Sequence, residues 1–410
     1  MISKLKYEYL LFLIALVWVL FFSSVIQLQA GFSSWGDDST YLYAAKVLYF
    51  NGVLDDSRPM FISAVIGLPF LFGFSTAFVI QWGIIVNFIC WLATVLLVFK
   101  IIAERWNRQK AFVFAIAFIL CIGNLAVAFH LIAEALFVFL LVLIFYLMHK
   151  FIQTGSYSFL TLAIAFSFLI LLVKPMPLGL VILLLLYHSK KAKKVFTNKY
   201  AVVILVSVSM LFFHMYSLKK KYGDFTISYI GSYTYYNYLG ARADCLKDGI
   251  AYIPGENPRT KHFISLSSHE MKTLATWDLK NQLLNNKVNL LKAYATNLYL
   301  NSSKGNSIVY ATENQDKTMC FSLFHVLFKA ISKLQNIVFT MVGLALAFYC
   351  LVKRKQQDVF RLMLSGFIIY VFLISGISSN EGDRFHLAFY PALLILMADF
   401  YKNRILKTVS

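Results

Sequence analysis

The sequence predicts an all-α polytopic membrane protein, and three observations carry that prediction. Of its 410 residues, 60% are hydrophobic and only 14% charged, far more apolar than a soluble domain of this length. The apolar residues come in long runs, close to the roughly 20 residues a helix needs to cross the hydrocarbon core. The basic residues gather between alternate runs, as they do in short cytoplasmic loops.

Ten runs qualify as spans: 9–30, 76–99, 111–128, 132–148, 158–173, 175–188, 200–217, 332–352, 359–377 and 386–401. The segment 59–74 is apolar but punctuated by Pro59, Gly67, Pro69 and Gly73, which predicts a short or re-entrant helix. The first run is too long for a cleavable signal peptide, and no small-residue cleavage pattern follows it.

With the amino terminus placed in the cytoplasm, the inner segments hold half of the 38 Lys and Arg residues, among them Arg105, Lys150 and the cluster Lys190, Lys191, Lys193, Lys194 and Lys199. The short outer segments hold Lys46, Arg58, Lys174 and Arg384 against Asp37, Asp38, Asp55, Asp56, Glu381 and Asp383. Every short loop agrees with one topology, with both termini cytoplasmic. The net charge of +19 follows from this topology and from attraction to anionic headgroups. Membrane lipid is the expected partner, and nucleic acid is not.

Three regions result: an amino-terminal bundle over 1–217 with its first outer loop at 31–75, a long outer loop over 218–331, and carboxyl-terminal spans over 332–410. In the first outer loop, "STYLYAAKVLYFNG" reads as an amphipathic helix with Ser39 or Thr40 near its start and Gly52 beyond its end. Asp37 and Asp38 fall at its amino terminus, where a carboxylate is favoured as a cap. The long loop begins with a stretch rich in Tyr, Gly and turn residues, which predicts short extended segments. Its second half predicts two amphipathic helices, with Ser267 or Ser268 as cap and Glu270 in the first turn. Cys245 and Cys320 both fall in this loop, where a disulfide and two free thiols fit equally well. "NSS" at 301–303 matches a glycosylation acceptor pattern.

Charged groups at the edges of spans are costly and point to a functional site. Asp37, Asp38, Arg58, Glu134, Lys174, Asp383, Arg384 and His386 all lie on the outer side, and nothing comparable is expected on the inner side. Each also has a plainer reading. Glu134 stands one turn after His130 and pairs with it, Lys174 snorkels to headgroups, and Arg384 pairs with Glu381 or Asp383. Asn87 and Asn124 are mid-span amides that serve helix packing.

The order of features resembles a known family. A first span is followed by the acidic pair Asp37-Asp38 with Tyr and Ala a few residues on, then by Arg58-Pro59 opening "RPMFISAVIGLPFLFGF"; later come Glu134 in "HLIAEALFVFLL" and "GDRFHLAFYPALLIL" near the carboxyl end. This resembles the integral-membrane glycosyltransferases of the C superfamily, in the bacterial branch related to protein O-mannosyltransferases and to the lipid A aminoarabinose transferase. The likeness is best over 1–150 and 375–400, and loose in the long loop.

The resemblance implies an enzyme of a bacterial cytoplasmic (inner) membrane, active on its periplasmic or extracellular side. Its donor would be a polyprenyl-phosphate sugar, its acceptor a lipid-linked or cell-surface glycan, and its product inverted at the anomeric carbon. A carboxylate must take the acceptor's proton; Asp37 corresponds to the first acid of the family pair, and Asp38 is the second choice. Arg58, Lys174 and Arg384 are the candidate cations for the departing phosphate. Some relatives use a divalent cation, for which Asp38, Glu134 and His386 are candidate ligands, Glu134 and His386 serving alternatively at the acceptor site. Two departures stand out. Ser57-Arg58-Pro59 replaces the family's Lys-Pro with its preceding acid, and no sizeable soluble domain follows the last span, which favours a small or lipid-anchored acceptor.

Two rival classes remain. A polymerase or ligase of lipid-linked polysaccharide would concentrate Arg and His in the long loop, as Arg242, Arg259, His262 and His269 do here. A lipid or polysaccharide transporter would place polar sites at mid-membrane, often in two related halves, and the sequence shows neither a repeat nor a central charge pair.

Overall fold

A computed structural model describes residues 2–26, 36–311, 318–379 and 381–409. The end of the first expected span (27–30) and the start of the first outer loop (31–35) lie outside the described residues. Those that are described fold as helices and connecting turns, with no strand among them.

Helix α1 (Ile2–Ile26) is followed by α2 (Gly36–Asn51), α3 (Met60–Gly67) and α4 (Thr76–Arg105). Gly52, at φ +63°, ends α2 as the sequence predicts. A tight turn over Leu68–Phe72 extends α3, so the Pro- and Gly-punctuated segment is a short helix rather than a span. α5 (Arg108–Ile119) and α6 (Ile122–Ala126) form a broken rod bent by 65°. Gln335 satisfies the backbone freed at the break: its Oε1 accepts from Ile122 N at 3.0 Å and its Nε2 donates to Leu120 O at 2.8 Å.

α7 (Glu134–Thr154), α8 (Tyr157–Leu171), α9 (Leu178–His188), α10 (Ala192–Phe196) and α11 (Ala201–Tyr222) complete the amino-terminal bundle. α7 is its centre, packed against α4 on one side and α8 on the other, with α11 beyond α8. After the long loop, α18 (Met319–Val352), α19 (Val359–Ser375) and α20 (Tyr390–Val409) return to the bundle, and α20 packs on α4 and α5.

Five helices (Lys6–Val25, α4, α7, α11 and α18) are long and apolar enough to cross a membrane, or six if the bent pair counts as one. The expected ten is therefore not reached by length. α8, α9 and α19 have 15, 11 and 17 residues, and Lys174-Pro175 and Leu120-Cys121 break runs that look continuous in hydropathy. The protein is a multi-pass membrane protein in which several apolar helices are short, as buried partners in a bundle can be.

The long loop differs from the expectation in its first half. The Tyr-rich stretch forms α12 (Ile230–Thr234), a π-helical turn over Tyr235–Gly240, α13 (Ala241–Asp248) and α14 (Pro258–Ile264), not extended segments. Its aromatic rings make a small core of their own: Phe263 is fully buried and stacks on Tyr236 at 4.3 Å between centroids. The second half gives α15 (Ser268–Asn285) and α16 (Lys287–Ser303), followed by α17 (Ser307–Ala311). Ser267 caps α15 in a full capping box with Glu270. Cys245 and Cys320 are free thiols. Asn301 is fully buried and its amide donates to Ser375 O and Ser378 O, so the short glycosylation pattern is a packing residue instead.

Candidate active site

The first turn of α2 brings Asp37 to the centre of an ion cluster. Its Oδ1 accepts from Arg58 Nη2 at 2.7 Å and its Oδ2 from Arg384 Nη2 at 2.5 Å. Arg384 Nε also reaches Glu134 Oε1 at 2.6 Å, and the same oxygen takes Lys174 Nζ at 2.9 Å; Arg384 Nη1 lies 3.3 Å from Glu381. Three cations thus face three carboxylates. Burial alone would raise the Asp37 carboxyl, but the guanidiniums of Arg384 and Arg58 outweigh it and hold the group below the usual carboxylate range.

Each cation sits where regular structure fails. Arg58 ends a turn in which Asp55 Oδ1 accepts from the backbone N–H of Ser57 and Arg58, and its guanidinium lies 4.3 Å above the buried Tyr41 ring. Lys174 leaves α8 just before Pro175 and Pro177, which prevent the helix from continuing. Arg384 ends a short turn opened by Gly382. Gly382 needs to be glycine: its φ is +57°, and a Cβ there would stand 1.7 Å from Gly305 O. The adjoining Asp383 is buried, accepts from Asn306 Nδ2 at 2.6 Å and from the Tyr390 hydroxyl at 3.3 Å, and is pushed up to about 7 by that burial.

These groups line a cavity of about 1070 Å³. Asp37, Arg58, Lys174 and Arg384 form its charged floor, Tyr233, Tyr235 and Tyr238 of the long loop form one wall, and Met176, Ile374 and Ile377 supply apolar surface. The loop is tied down over the site: Tyr229 N donates to Asp56 O at 2.9 Å, Ser228 Oγ donates to Ser57 O at 2.8 Å, and Ser268 bonds Asp56.

The other predicted site residues are placed differently. Asp38 is buried away from the cavity lining, where its carboxylate accepts from Leu131 N at 2.9 Å and meets His130 Nδ1 at 2.8 Å. Together with Asn87, which donates to His130 O at 2.6 Å, it satisfies the non-helical residues that precede α7 and so sets Glu134 within reach of Lys174 and Arg384. Glu134 therefore pairs with Lys174 and Arg384, not with His130. His386 is also fully buried, between Asn336, Thr340 and Ser375. Asp38, Glu134 and His386 do not converge, and among the described residues no group of three or more His, Cys, Asp and Glu side chains is gathered to hold a metal ion.

Three of the long-loop residues that a polymerase would use are engaged within the loop, away from the cavity lining. Arg259 is ion-paired with Asp244 and Asp278 and stacks over Tyr236, His269 meets Asp224, and Arg242 lies over Tyr252. What sequence reasoning missed is the tyrosine wall, whose only signal was the density of Tyr in 229–238.

No family model matches the chain, and no curated protein matches it. Among solved structures it is similar to ArnT from Cupriavidus metallidurans bound to undecaprenyl phosphate, with a TM-score of 0.42, 14% identity, and 96% of this chain and 78% of that chain covered. The apo state of the same protein gives a TM-score of 0.41 and 13% identity, over 97% of this chain and 78% of that chain.

Proposed function

We propose that the protein transfers a monosaccharide from a polyprenyl-phosphate donor to a lipid-linked or cell-surface glycan on the outer face of a bacterial cytoplasmic membrane, with inversion. The observation that carries this reading is the convergence of Arg58, Lys174 and Arg384, from three separate irregular segments, on two carboxylates, Arg58 and Arg384 on Asp37 and Lys174 and Arg384 on Glu134, beside a cavity that also has apolar and tyrosine walls. Such a site suits a ligand that joins a phosphate to a sugar and a long apolar chain.

The acceptor oxygen forms a bond to the anomeric carbon as the bond from that carbon to the phosphate oxygen breaks. The acceptor's proton passes to Asp37, and the electron pair leaves with the polyprenyl phosphate. Arg58, Lys174 and Arg384 stabilise the charge that grows on the leaving phosphate. With both its oxygens bound to guanidinium groups, Asp37 is a weak base. A phosphate drawing those cations toward itself restores its basicity, so donor binding and base activation are coupled. Glu134 holds Arg384 and Lys174 in place, and Asp38 acts at a distance by fixing the segment before α7.

The test is transfer of labelled sugar from a panel of polyprenyl-phosphate monosaccharides in membranes carrying the wild type or Asp37→Asn at matched expression. Turnover of one donor by wild type, abolished in Asp37→Asn while donor binding persists, is the expected result. If wild type consumes no donor but joins or moves long lipid-linked glycans, the reading is wrong.

A further inference from the structure

A second cavity, of about 620 Å³, opens at the opposite end of the bundle between α8, α9, α10 and α11. Its walls are Ile164 and Phe168 of α8, Leu185 of α9, Val195 of α10, and Ile204 and Val208 of α11, with His188 and Ser189 at its rim. Its volume lies within the roughly 300–1,000 Å³ of small-ligand sites.

The segment that runs on from His188 and Ser189, beside the cavity, is basic and unbalanced. Lys190, Lys191, Lys193, Lys194 and Lys199 fall within ten residues of one another, and no Asp or Glu occurs between Glu134 and Asp224. The ion pairs at this end, Arg105 with Asp358 and Asp399 and Lys150 with Glu104, leave these five lysines out. Lys191 Nζ stands 3.3 Å from His188 Nδ1, at the rim itself. Lys194 lies over the Tyr157 ring at 5.0 Å and Lys199 over Tyr200 at 5.1 Å. Tyrosines and lysines at one level mark the interface between headgroups and acyl chains. These two cavities thus differ in balance: at the first, carboxylates match the cations, and at the second, among the described residues, no carboxylate is ion-paired with these lysines.

We propose that this groove binds an anionic diacyl phospholipid of the inner leaflet, with its phosphate among Lys190, Lys191, Lys193 and Lys194 and one acyl chain between α8 and α11. An apolar groove alone would take any lipid; the five uncompensated lysines select the charge. The inference does not depend on the transferase reading.

The test is lipid retention by the full chain in detergent, followed by native mass spectrometry, with phosphatidylglycerol and phosphatidylcholine of the same acyl composition. Wild type should keep phosphatidylglycerol about tenfold more tightly. Replacing Lys190, Lys191, Lys193 and Lys194 together by Gln should abolish that preference, and since three of the four side chains are exposed the variant should fold. Val208→Trp, which fills the groove, should reduce retention of both lipids with the lysines intact. Equal retention of both lipids by wild type, or an unchanged preference in the quadruple variant, would overturn the proposal. So would displacement of phosphatidylglycerol by an equimolar polyprenyl phosphate, which would assign the groove to a single-chain carrier lipid.

Discussion

Two ion clusters close the two ends of the bundle, built from the same residue types. At one end Arg105 joins Asp358 at 2.7 Å and Asp399 at 2.5 Å, and Arg361 meets Asp399 at 3.2 Å. At the other end Arg384 joins Asp37 and Glu134 at similar distances. What separates them is where the cations sit. Arg105 is the last residue of α4, Arg361 lies in the first turn of α19, and Asp358 caps α19; all are regular positions, and the cluster ties α4, α19 and α20 together. Arg58, Lys174 and Arg384 sit on segments broken by Pro or Gly, a cost that stability does not explain. Distance alone would call both clusters structural; backbone irregularity and the adjoining cavity distinguish the site from the clamp.

The sharpest way to break this comparison is to remove one arginine from each end. Arg384→Ala should lower kcat/KM for sugar transfer by at least about 100-fold. Arg105→Ala takes from the buried Asp399 its nearer cation and leaves it Arg361 alone at 3.2 Å, which costs about 1.5–3 kcal/mol, so it should reduce folded yield and Tm while the surviving fraction keeps its specific activity. Equal loss of specific activity in both variants would erase the distinction. A smaller effect is expected from Lys174→Met, which keeps the apolar stem. Transfer should fall by roughly tenfold to 100-fold, with little change in Tm because Glu134 retains Arg384. Smaller again is Gly382→Ala. A Cβ at φ +57° meets Gly305 O and must shift the turn that carries Arg384, for which we expect about a tenfold loss in kcat/KM and a Tm lower by a few degrees.

How far these positions were legible in the sequence follows from the range of the forces that set them. The longer spans were readable because lipid requires long apolar runs, and the Ser267 cap and Gly52 stop because capping is local. Asp37, Arg58, Lys174 and Arg384 were singled out through side and depth, which topology supplies without coordinates, and they line one cavity. That Asp38, the second choice of base, lies apart from that cavity could not be read, because its partners, His130 and Leu131, lie 92 and 93 residues away. The clamp at the other end was missed for the same reason: Arg105 and Asp399 are 294 residues apart, Arg105 alone looks like a solvated loop charge, and Asp399 falls within the expected span 386–401. The Tyr-rich start of the long loop reads as strand by composition, yet stacking of Tyr236 on Phe263 rewards a helix there. Propensity yields to packing where aromatics are dense.

The mildest expected effect concerns pH, and it separates the two ends without any assay of transfer. Asp37 is held below its ordinary value of 3.8 in the folded chain. Its contribution to stability is therefore fully present above about pH 4 and is lost as pH falls through the depressed folded value. At neutral pH, Asp37→Asn should lower Tm by about 2 °C, corresponding to about 1 kcal/mol. The variant and the wild type should begin to converge below about pH 4 and meet once pH has passed below the depressed folded value, because protonation removes from the wild type what the substitution has already removed. A gap that stays constant from pH 7 to pH 3 would mean that the Arg58 and Arg384 contacts do not act on Asp37 as charges. The outer cluster would then be held by packing, like any other part of the bundle, and its claim to be a site would rest on the cavity alone.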